Sequence, residues 1–285
     1  HNSVLRPLHH FQSLGLLTCD LVKFDERGRI DPGDIARAIK PATRMVIVNH
    51  ASNVTGTVQD ARAIGRVCRD HDVPLILDCA QSAGLVPIRM REWGVSAIAF
   101  TGHKSLLGPS GIGGLVLTGD LDIRTTRFGG TGVDSESLVH TRSYPHRLET
   151  GTLNVLGIIG LGAGLEYVED IGVDAIRTKE VALAQRMAQG LSEISSVRMH
   201  GPLDWDDRLA VFMTNVRNMM PEDVGAILDG DYGIAVRTGL HCAPLAHRDL
   251  KTFPLGGVRF SIGPFNTVDD VDAAVSAMAE IGKNK

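Results

Sequence analysis

A lysine at the end of an apolar run is the residue in this chain whose position best suits chemistry. The run of residues 96–100 (SAIAF) leads into a tight turn of small residues that contains Lys104. Desolvation at the end of a buried strand favours the neutral amine, which is the nucleophile that forms Schiff bases. Taken alone, the turn favours an ordinary surface lysine, because most lysines are exposed.

An acidic residue ends the preceding apolar run. Asp78 closes the segment PLILD, and Gln81 follows three residues later. A buried carboxylate needs a cationic partner, and the protonated ring nitrogen of pyridoxal phosphate is one. An aspartate that only caps the following turn explains the position equally well. On neighbouring strand ends, Asp78 and Lys104 would supply the charge and the amine that this cofactor requires.

A glycine-rich segment and two polar side chains flank the lysine. Residues 108–114 (GPSGIGG) lack both the Gly-Lys-Ser/Thr ending and the spacing of nucleotide-binding loops. We therefore interpret them as a turn into the next strand. Thr101 and His103 are the better candidates for donors to a phosphate group.

A second dense motif, RTGLHCAP, covers residues 237–244. The guanidinium fork of Arg237 suits a carboxylate, and Cys242, close to Arg237, His241 and His247, is a candidate reactive thiolate. An incidental small residue in a turn is the alternative for the cysteine. A Cys/His metal site is disfavoured, because four ligands at a workable spacing are missing.

Strands that alternate with helices along residues 19–117 predict a mostly parallel sheet in an α/β fold. The carboxyl ends of such strands meet at one edge, so Asn49, Asp78 and the Lys104 turn should lie together. From residue 172 the pattern changes to short strands separated by helices. We expect a large domain over residues 1–171 and a smaller α/β domain over residues 172–285. Residues 128–148 predict a long functional or mobile loop.

Composition excludes several classes of protein. The chain has 285 residues, a net charge of −4 and 43% hydrophobic residues, which fits a soluble globular protein with a sizeable core and gives no nucleic-acid footprint. No apolar stretch is long enough to span a membrane. The four cysteines form no CxxC pair, which argues against disulfides or a metal site and favours a reducing, cytoplasmic compartment.

Several motifs in order resemble one family, the class V aminotransferases among the fold-type-I pyridoxal phosphate enzymes. Within it, the close Arg237–Cys242 spacing is similar to the SufS-like members of the cysteine desulfurase and selenocysteine lyase branch. The motifs are HNSVLRPL (1–8), NHASNVTGT (49–57), DCAQSAG (78–84), TGHKSLLGPSGIGG (101–114), ETGTLN (149–154), RTGLHCAP (237–244) and RFSIGPFNT (259–267). Family members carry a further N-terminal region, so we expect the natural chain to be longer.

The resemblance implies a role for each matching residue. Lys104 matches the Schiff-base lysine, Asp78 the partner of the ring nitrogen, and Cys242 the cysteine that takes up sulfur. The other implied residues are Gln81 at the ring hydroxyl, Thr101 and His103 at the phosphate, His1 on the ring face, and Asn53, Arg237 and Arg259 at the substrate carboxylate. Thr152 matches a residue lent to the partner subunit, which implies a homodimer with active sites at the interface.

The implied activity is that of a cysteine desulfurase, which converts L-cysteine to L-alanine and leaves a persulfide on Cys242 for a sulfur-acceptor protein. Two alternatives remain open. The chain could act on selenocysteine or another amino acid as a lyase or aminotransferase of the same class. It could also be an inactive scaffold or sulfur-carrier partner.

Overall fold

The computed structural model describes residues 1–119, 121–202 and 204–283, which contain two four-stranded sheets. In the first sheet three neighbouring strands are parallel and the last is antiparallel, in the order β1-β2-β3-β4. Its strands are β1 (Val46–Asn49), β2 (Leu75–Asp78), β3 (Ala97–Thr101) and β4 (Gly113–Leu117). The predicted, mostly parallel sheet is therefore confirmed, and residues 108–112 form the predicted turn into β4.

Helices precede or connect the strands of this first sheet. They are α1 (Asn2–Ser13), α2 (Pro32–Ala38), α3 (Ala61–Asp70) and α4 (Met90–Trp93). The helix α2 begins where the sequence predicts, because the Asp31 carboxylate accepts the Gly33 amide and Pro32 follows at the first helical position. On α3, Ile64 and Cys68 are fully buried against the sheet and form part of its core.

The second sheet is antiparallel, in the order β5-β6-β8-β7. Two consecutive helices, α5 (Val155–Ile171) and α6 (Val173–Ser192), lead into it and are separated by Gly172. Its strands are β5 (Val197–His200), β6 (Val211–Val216), β7 (Arg237–Gly239) and β8 (Gly257–Ser261). The remaining helices are α7 (Pro221–Tyr232), α8 (Pro244–Asp249) and α9 (Val268–Lys283). The helices α6, α7 and α9 contact this sheet or one another and enclose its core.

A small apolar cluster joins the two halves of the chain. In it, Ala51 and Leu85 from the first half pack with Val168, Leu209 and Val211 from the second. Apolar burial of this kind stabilises the contact between the sheets and so the relative position of residues on their edges. The domain boundary expected at residue 172 stays a prediction.

Three details differ from expectation. Residues 19–24, expected as a strand, form none, because no described strand pairs with their backbone. The strand expected at 234–237 lies at Arg237–Gly239 instead. The helix expected from Thr152 begins at Val155, where the Asn154 side chain accepts the Gly157 amide and caps it. Residues 128–148 are largely irregular, as expected.

No helix in the described part of the chain is long and apolar enough to cross a lipid bilayer.

Candidate active site

The parallel strands bring polar side chains to one edge of the first sheet. Asn49 and Asp78 end β1 and β2 and are direct register partners, and Thr101 ends β3. One carboxylate oxygen of Asp78 accepts the Ala80 amide at 3.0 Å. Asp78 thus caps its turn, as the simpler interpretation predicts. Its carboxylate keeps acceptor capacity that no other described residue uses.

Lys104 lies in the turn after β3, where it is partly buried. Burial lowers the pKa of its amine, and the positive charges of Arg259 and Arg237 act in the same direction. The charges of Asp78 and Cys242 oppose this shift. Residues from both sheets therefore act electrostatically on one lysine. Its amine makes no hydrogen bond to any residue that the structure describes, so it is available for a ligand.

Cys242 is in direct contact with an arginine. Arg237 donates a hydrogen bond from Nη2 to Cys242 Sγ at 3.1 Å. A cationic group beside the sulfur is a setting typical of reactive cysteines. The amide of Asn2 donates to the Cys242 carbonyl at 2.8 Å, so the start of α1 also holds this residue.

The backbone that carries the thiol is strained. His241 and Cys242 have φ angles of 50° and 57°, which lie in the left-handed region that residues with a side chain rarely adopt. Such strain persists only where the surroundings enforce it, and it is common at functional sites. Here the Asn53 side-chain amide enforces it in part by donating to the His241 carbonyl at 2.7 Å.

Two arginines face the same space from neighbouring strands. Arg237 on β7 and Arg259 on β8 are direct register partners. Burial lowers the pKa of Arg259, and the Arg237 charge lowers it further, whereas Cys242 opposes the shift. Arg259 donates from Nη1 to the Asn53 carbonyl at 3.1 Å, while its buried Nε has no partner among the described residues. Two guanidinium groups with unused donors are suited to bind a carboxylate.

His1 also lies beside this site. Its ring caps α1 by accepting the Ser3 amide at 3.2 Å. The amide of the next residue, Asn2, donates to the Cys242 carbonyl, which places residue 1 beside the loop that carries the thiol. The structure thus gathers His1, Asp78, Lys104 and Cys242.

The remaining predicted residues are less closely tied to this group. Thr101 Oγ1 and His103 Nδ1 are hydrogen-bonded at 2.8 Å in the turn before Lys104, with His103 exposed. Gln81 is partly buried, and its side chain bonds to no described residue. Thr152 is exposed and likewise makes no side-chain hydrogen bond within the described part of the chain.

The other three cysteines lie in surroundings that raise the pKa of a thiol. Burial raises the pKa of Cys68 to about 11 and that of Cys79 to about 12. The pKa of Cys19 is also raised, first by burial and then by the charge of Asp20. These three thiols are protonated near neutral pH and are therefore poor nucleophiles.

The chain matches the family Aminotransferase class-V over residues 1–274. It belongs to that family.

Named relatives agree with this assignment. A probable cysteine desulfurase of Methanothermobacter thermautotrophicus is 38% identical over 99% of this chain and 71% of its own length. Another from Pyrococcus abyssi is 32% identical over 100% of this chain and 71% of its own. The apo structure of cysteine desulfurase from Thermococcus onnurineus has a TM-score of 0.93 and 33% identity, and the match covers 100% of this chain and 71% of that one.

Class V aminotransferases with this fold depend on pyridoxal phosphate, so the chain is a pyridoxal phosphate enzyme of fold type I. The described residues fit that cofactor. Asp78 keeps acceptor capacity for a protonated ring nitrogen, and Lys104 has a partly buried, unpartnered amine. The hydroxyl of Thr101 and the ring of His103 stand in the same turn as candidate phosphate donors.

Sequence reasoning missed the helix α1 and its contact with Cys242. Val4, Leu8 and Phe11 have the helical i, i+4, i+7 spacing, but Pro7 lies among them and hides the pattern. The sequence places His247 near Cys242 but indicates no role for it, and no pattern in the sequence points to Thr252. Both prove to be bonded to the thiol loop through His241.

Proposed function

We propose that this protein removes sulfur from L-cysteine, yielding L-alanine and a persulfide on Cys242. The observation that carries the proposal is the 3.1 Å contact between Arg237 Nη2 and Cys242 Sγ, beside a lysine with a lowered pKa. Few reactions of an amino acid need both an amine and a thiolate, and desulfuration needs both. The names of the relatives support the same conclusion.

The substrate carboxylate is bound by Arg237 and Arg259. Their paired register and the unpartnered Nε of Arg259 supply donors for both carboxylate oxygens. Asn53 lies against both this pair and the cysteine loop. Its main-chain carbonyl accepts from Arg259, and its side-chain amide donates to the His241 carbonyl. We therefore assign Asn53 to the same subsite.

Lys104 binds the cofactor and then acts as the base. When bound, pyridoxal phosphate supplies an electron sink for the bonds at the substrate's α-carbon. The amine of Lys104, whose pKa is lowered by burial, accepts the α-proton and later returns a proton to carbon. Asp78 holds the proton on the ring nitrogen. The roles proposed for the remaining residues are Gln81 at the ring hydroxyl, Thr101 and His103 at the phosphate, and His1 on the ring face.

Cys242 performs the sulfur transfer. Its thiolate, which lies beside the Arg237 guanidinium, attacks the substrate sulfur and forms a new S–S bond. The substrate C–S bond breaks, and its electron pair stays on carbon, which is protonated to give alanine. The sulfur remains on Cys242 as a persulfide, so atoms and electrons balance without an external oxidant.

The setting of this activity is also part of the proposal. We propose a homodimer with active sites at the interface, in which Thr152 contacts the phosphate bound by the partner subunit. An exposed Thr152 that makes no side-chain hydrogen bond within the described residues supports this. A sulfur-acceptor protein takes the persulfide sulfur in the cytoplasm, where free cysteines such as the four described here are stable. We retain the domain boundary at residue 172.

Assays of the holoenzyme with L-cysteine and a thiol reductant test the activity. Wild type should release alanine and sulfide, and Cys242→Ala should release neither. Cys19→Ala is the matched control and should behave as wild type, because the pKa of the Cys19 thiol is raised. A wild type that yields neither product from cysteine would overturn the proposal. Turnover of selenocysteine alone would instead support the selenocysteine lyase alternative.

A further inference from the structure

A short chain of hydrogen bonds runs from the surface to the cysteine loop. Thr252 Oγ1 lies 2.8 Å from His247 Nδ1, and His247 Nε2 lies 3.2 Å from His241 Nδ1. His241 Nε2 in turn lies 3.1 Å from the carbonyl oxygen of Arg237. The two imidazoles are stacked, and both are buried, with 2% and 0% of their surface exposed. This series of hydrogen bonds therefore ends on Arg237, the residue that contacts the Cys242 thiol.

The chemistry of each atom determines which partner donates in each of these hydrogen bonds. A carbonyl only accepts, so the nitrogen of His241 next to Arg237 carries a proton. Burial lowers the pKa of His241 to about 4 and also lowers the pKa of His247, so both rings are neutral near pH 7. His241 Nδ1 is then an acceptor for His247 Nε2–H. His247 Nδ1 must accept from the Thr252 hydroxyl. Each ring therefore has one tautomer.

We propose that His247 and Thr252 are positioning residues that hold the Cys242 thiol against Arg237. The inference rests on the proposed role of Cys242 and extends it to two residues outside the pocket. His241 immediately precedes Cys242, and both have left-handed backbone angles, so a shift of the His241 main chain moves the thiol. The hydrogen bond to the Arg237 carbonyl closes the loop between the two residues.

Loss of the terminal donor should loosen this arrangement. Without the Thr252 hydroxyl, His247 Nδ1 is a buried acceptor without a donor, and the imidazole loses the bond that fixes its orientation. The ring can then turn, which weakens the bond from His247 Nε2 to His241 Nδ1. The Arg237–Cys242 contact is then formed for a smaller fraction of the time, and the thiol is less reactive.

Alkylation of the holoenzyme by iodoacetamide at neutral pH measures that reactivity without any substrate. Mass spectrometry of the Cys242 peptide follows the rate. We expect Thr252→Val to slow alkylation about three- to tenfold, the loss of roughly one net hydrogen bond. Thr252→Ser restores the hydroxyl and should alkylate within about twofold of wild type. His247→Phe should match Thr252→Val.

Thr214→Val is the matched control. Thr214 is fully buried in the same sheet and donates to the Val258 carbonyl at 3.3 Å, with no histidine partner. In Thr214→Val, Cys242 should be alkylated at the wild-type rate. Equal rates for wild type and Thr252→Val, or an equal fall in Thr214→Val, would overturn the proposal. If His247→Phe does not fold, the comparison of Thr252→Val with Thr252→Ser still tests the proposal. Slow alkylation in a protein that releases no alanine would reject the proposed function alone.

Discussion

Arg237 and Arg259 lie directly opposite each other on β7 and β8, so two positive charges share one face of the second sheet. Neither forms a salt bridge with a described acidic residue. Like charges at paired positions destabilise a sheet. The ligand-free protein therefore bears an electrostatic cost that a bound carboxylate would relieve.

A simple carboxylate should stabilise the protein against heat. Propionate at ten times its dissociation constant adds about 1.4 kcal/mol, which corresponds to a rise of about 3 °C in Tm. Differential scanning fluorimetry measures this rise, with chloride at equal ionic strength as the salt control. In Arg259→Met the rise should disappear. A similar rise with chloride would show general screening rather than binding.

The amide of Asn2 holds Cys242 through its carbonyl, and a proline can remove that donor with little other change. Asn2 is the first residue of α1, a position that tolerates proline. Asn2→Pro should reduce alanine formation about three- to tenfold, because one hydrogen bond to the thiol residue is lost. Asn2→Ala keeps the amide and should retain at least half of the activity. Equal losses in both variants would show that the side chain matters.

The charge of Asp78 should matter more for turnover than for cofactor attachment. Asp78→Asn keeps the shape of the side chain but removes the charge that retains the proton on the ring nitrogen. We expect kcat to fall about 10²- to 10³-fold, the range seen when one preorganised electrostatic group is removed. The visible absorbance of the bound cofactor should remain, whereas Lys104→Ala should lose it. Asp70→Asn on the exposed end of α3 is the control.

Stability should fall as the pH drops from neutral toward 4. Burial lowers the pKa of His50 and of His241 from 6.5 to about 4. Between these values the unfolded chain binds a proton that the folded chain does not, so the stability present above pH 6.5 is progressively lost. Each histidine contributes up to about 3 kcal/mol.

Urea unfolding at a series of pH values measures this loss. His50→Asn keeps an amide nitrogen near the position of the atom that bonds Ser82 Oγ at 2.8 Å, yet cannot titrate. Its unfolding free energy should depend less steeply on pH than that of wild type. The exposed His9→Asn should leave the dependence unchanged. Identical slopes in all three proteins would contradict the prediction.

The end of β7 and the residue just before β8 approach closely at a pair of glycines. A Cβ on Gly256 would lie 2.0 Å from the Gly239 carbonyl oxygen, and Gly256 has a φ of 77°. Gly256→Ala should lower the unfolding free energy by about 2 kcal/mol or more, because backbone cannot move aside cheaply. Gly230→Ala is the control in α7, where a Cβ meets no atom within 4 Å. It should be neutral or stabilising by up to about 1 kcal/mol, as measured by urea unfolding.

The first sheet and its edge were predictable because each rests on local patterns. Apolar runs that end in Asn49, Asp78 and Thr101 alternate with helices, and parallel pairing then forces those ends together. The cap at Asp31 is also a local signal. The helix α5 begins at Val155, later than the expected Thr152.

The links between the sheets were not predictable. The contact of Asn2 with Cys242 joins residues far apart in the chain, as does the bond of Asn53 to His241. Neither depends on residue type in a way that periodicity reveals, because one uses a backbone amide and the other a backbone carbonyl. The strained turn at Cys242 was hidden for the same reason, since its sequence contains no glycine at the strained positions.

That turn sets two kinds of selection against each other. His241 and Cys242 hold backbone angles that glycine adopts at no cost, so glycine at either position would relieve strain. A laboratory evolution experiment that rewards only resistance to heat should therefore enrich glycine here and discard the thiol. One that rewards turnover should keep both residues and recover stability elsewhere on the surface. The position of a single peptide unit thus separates the two evolutionary paths.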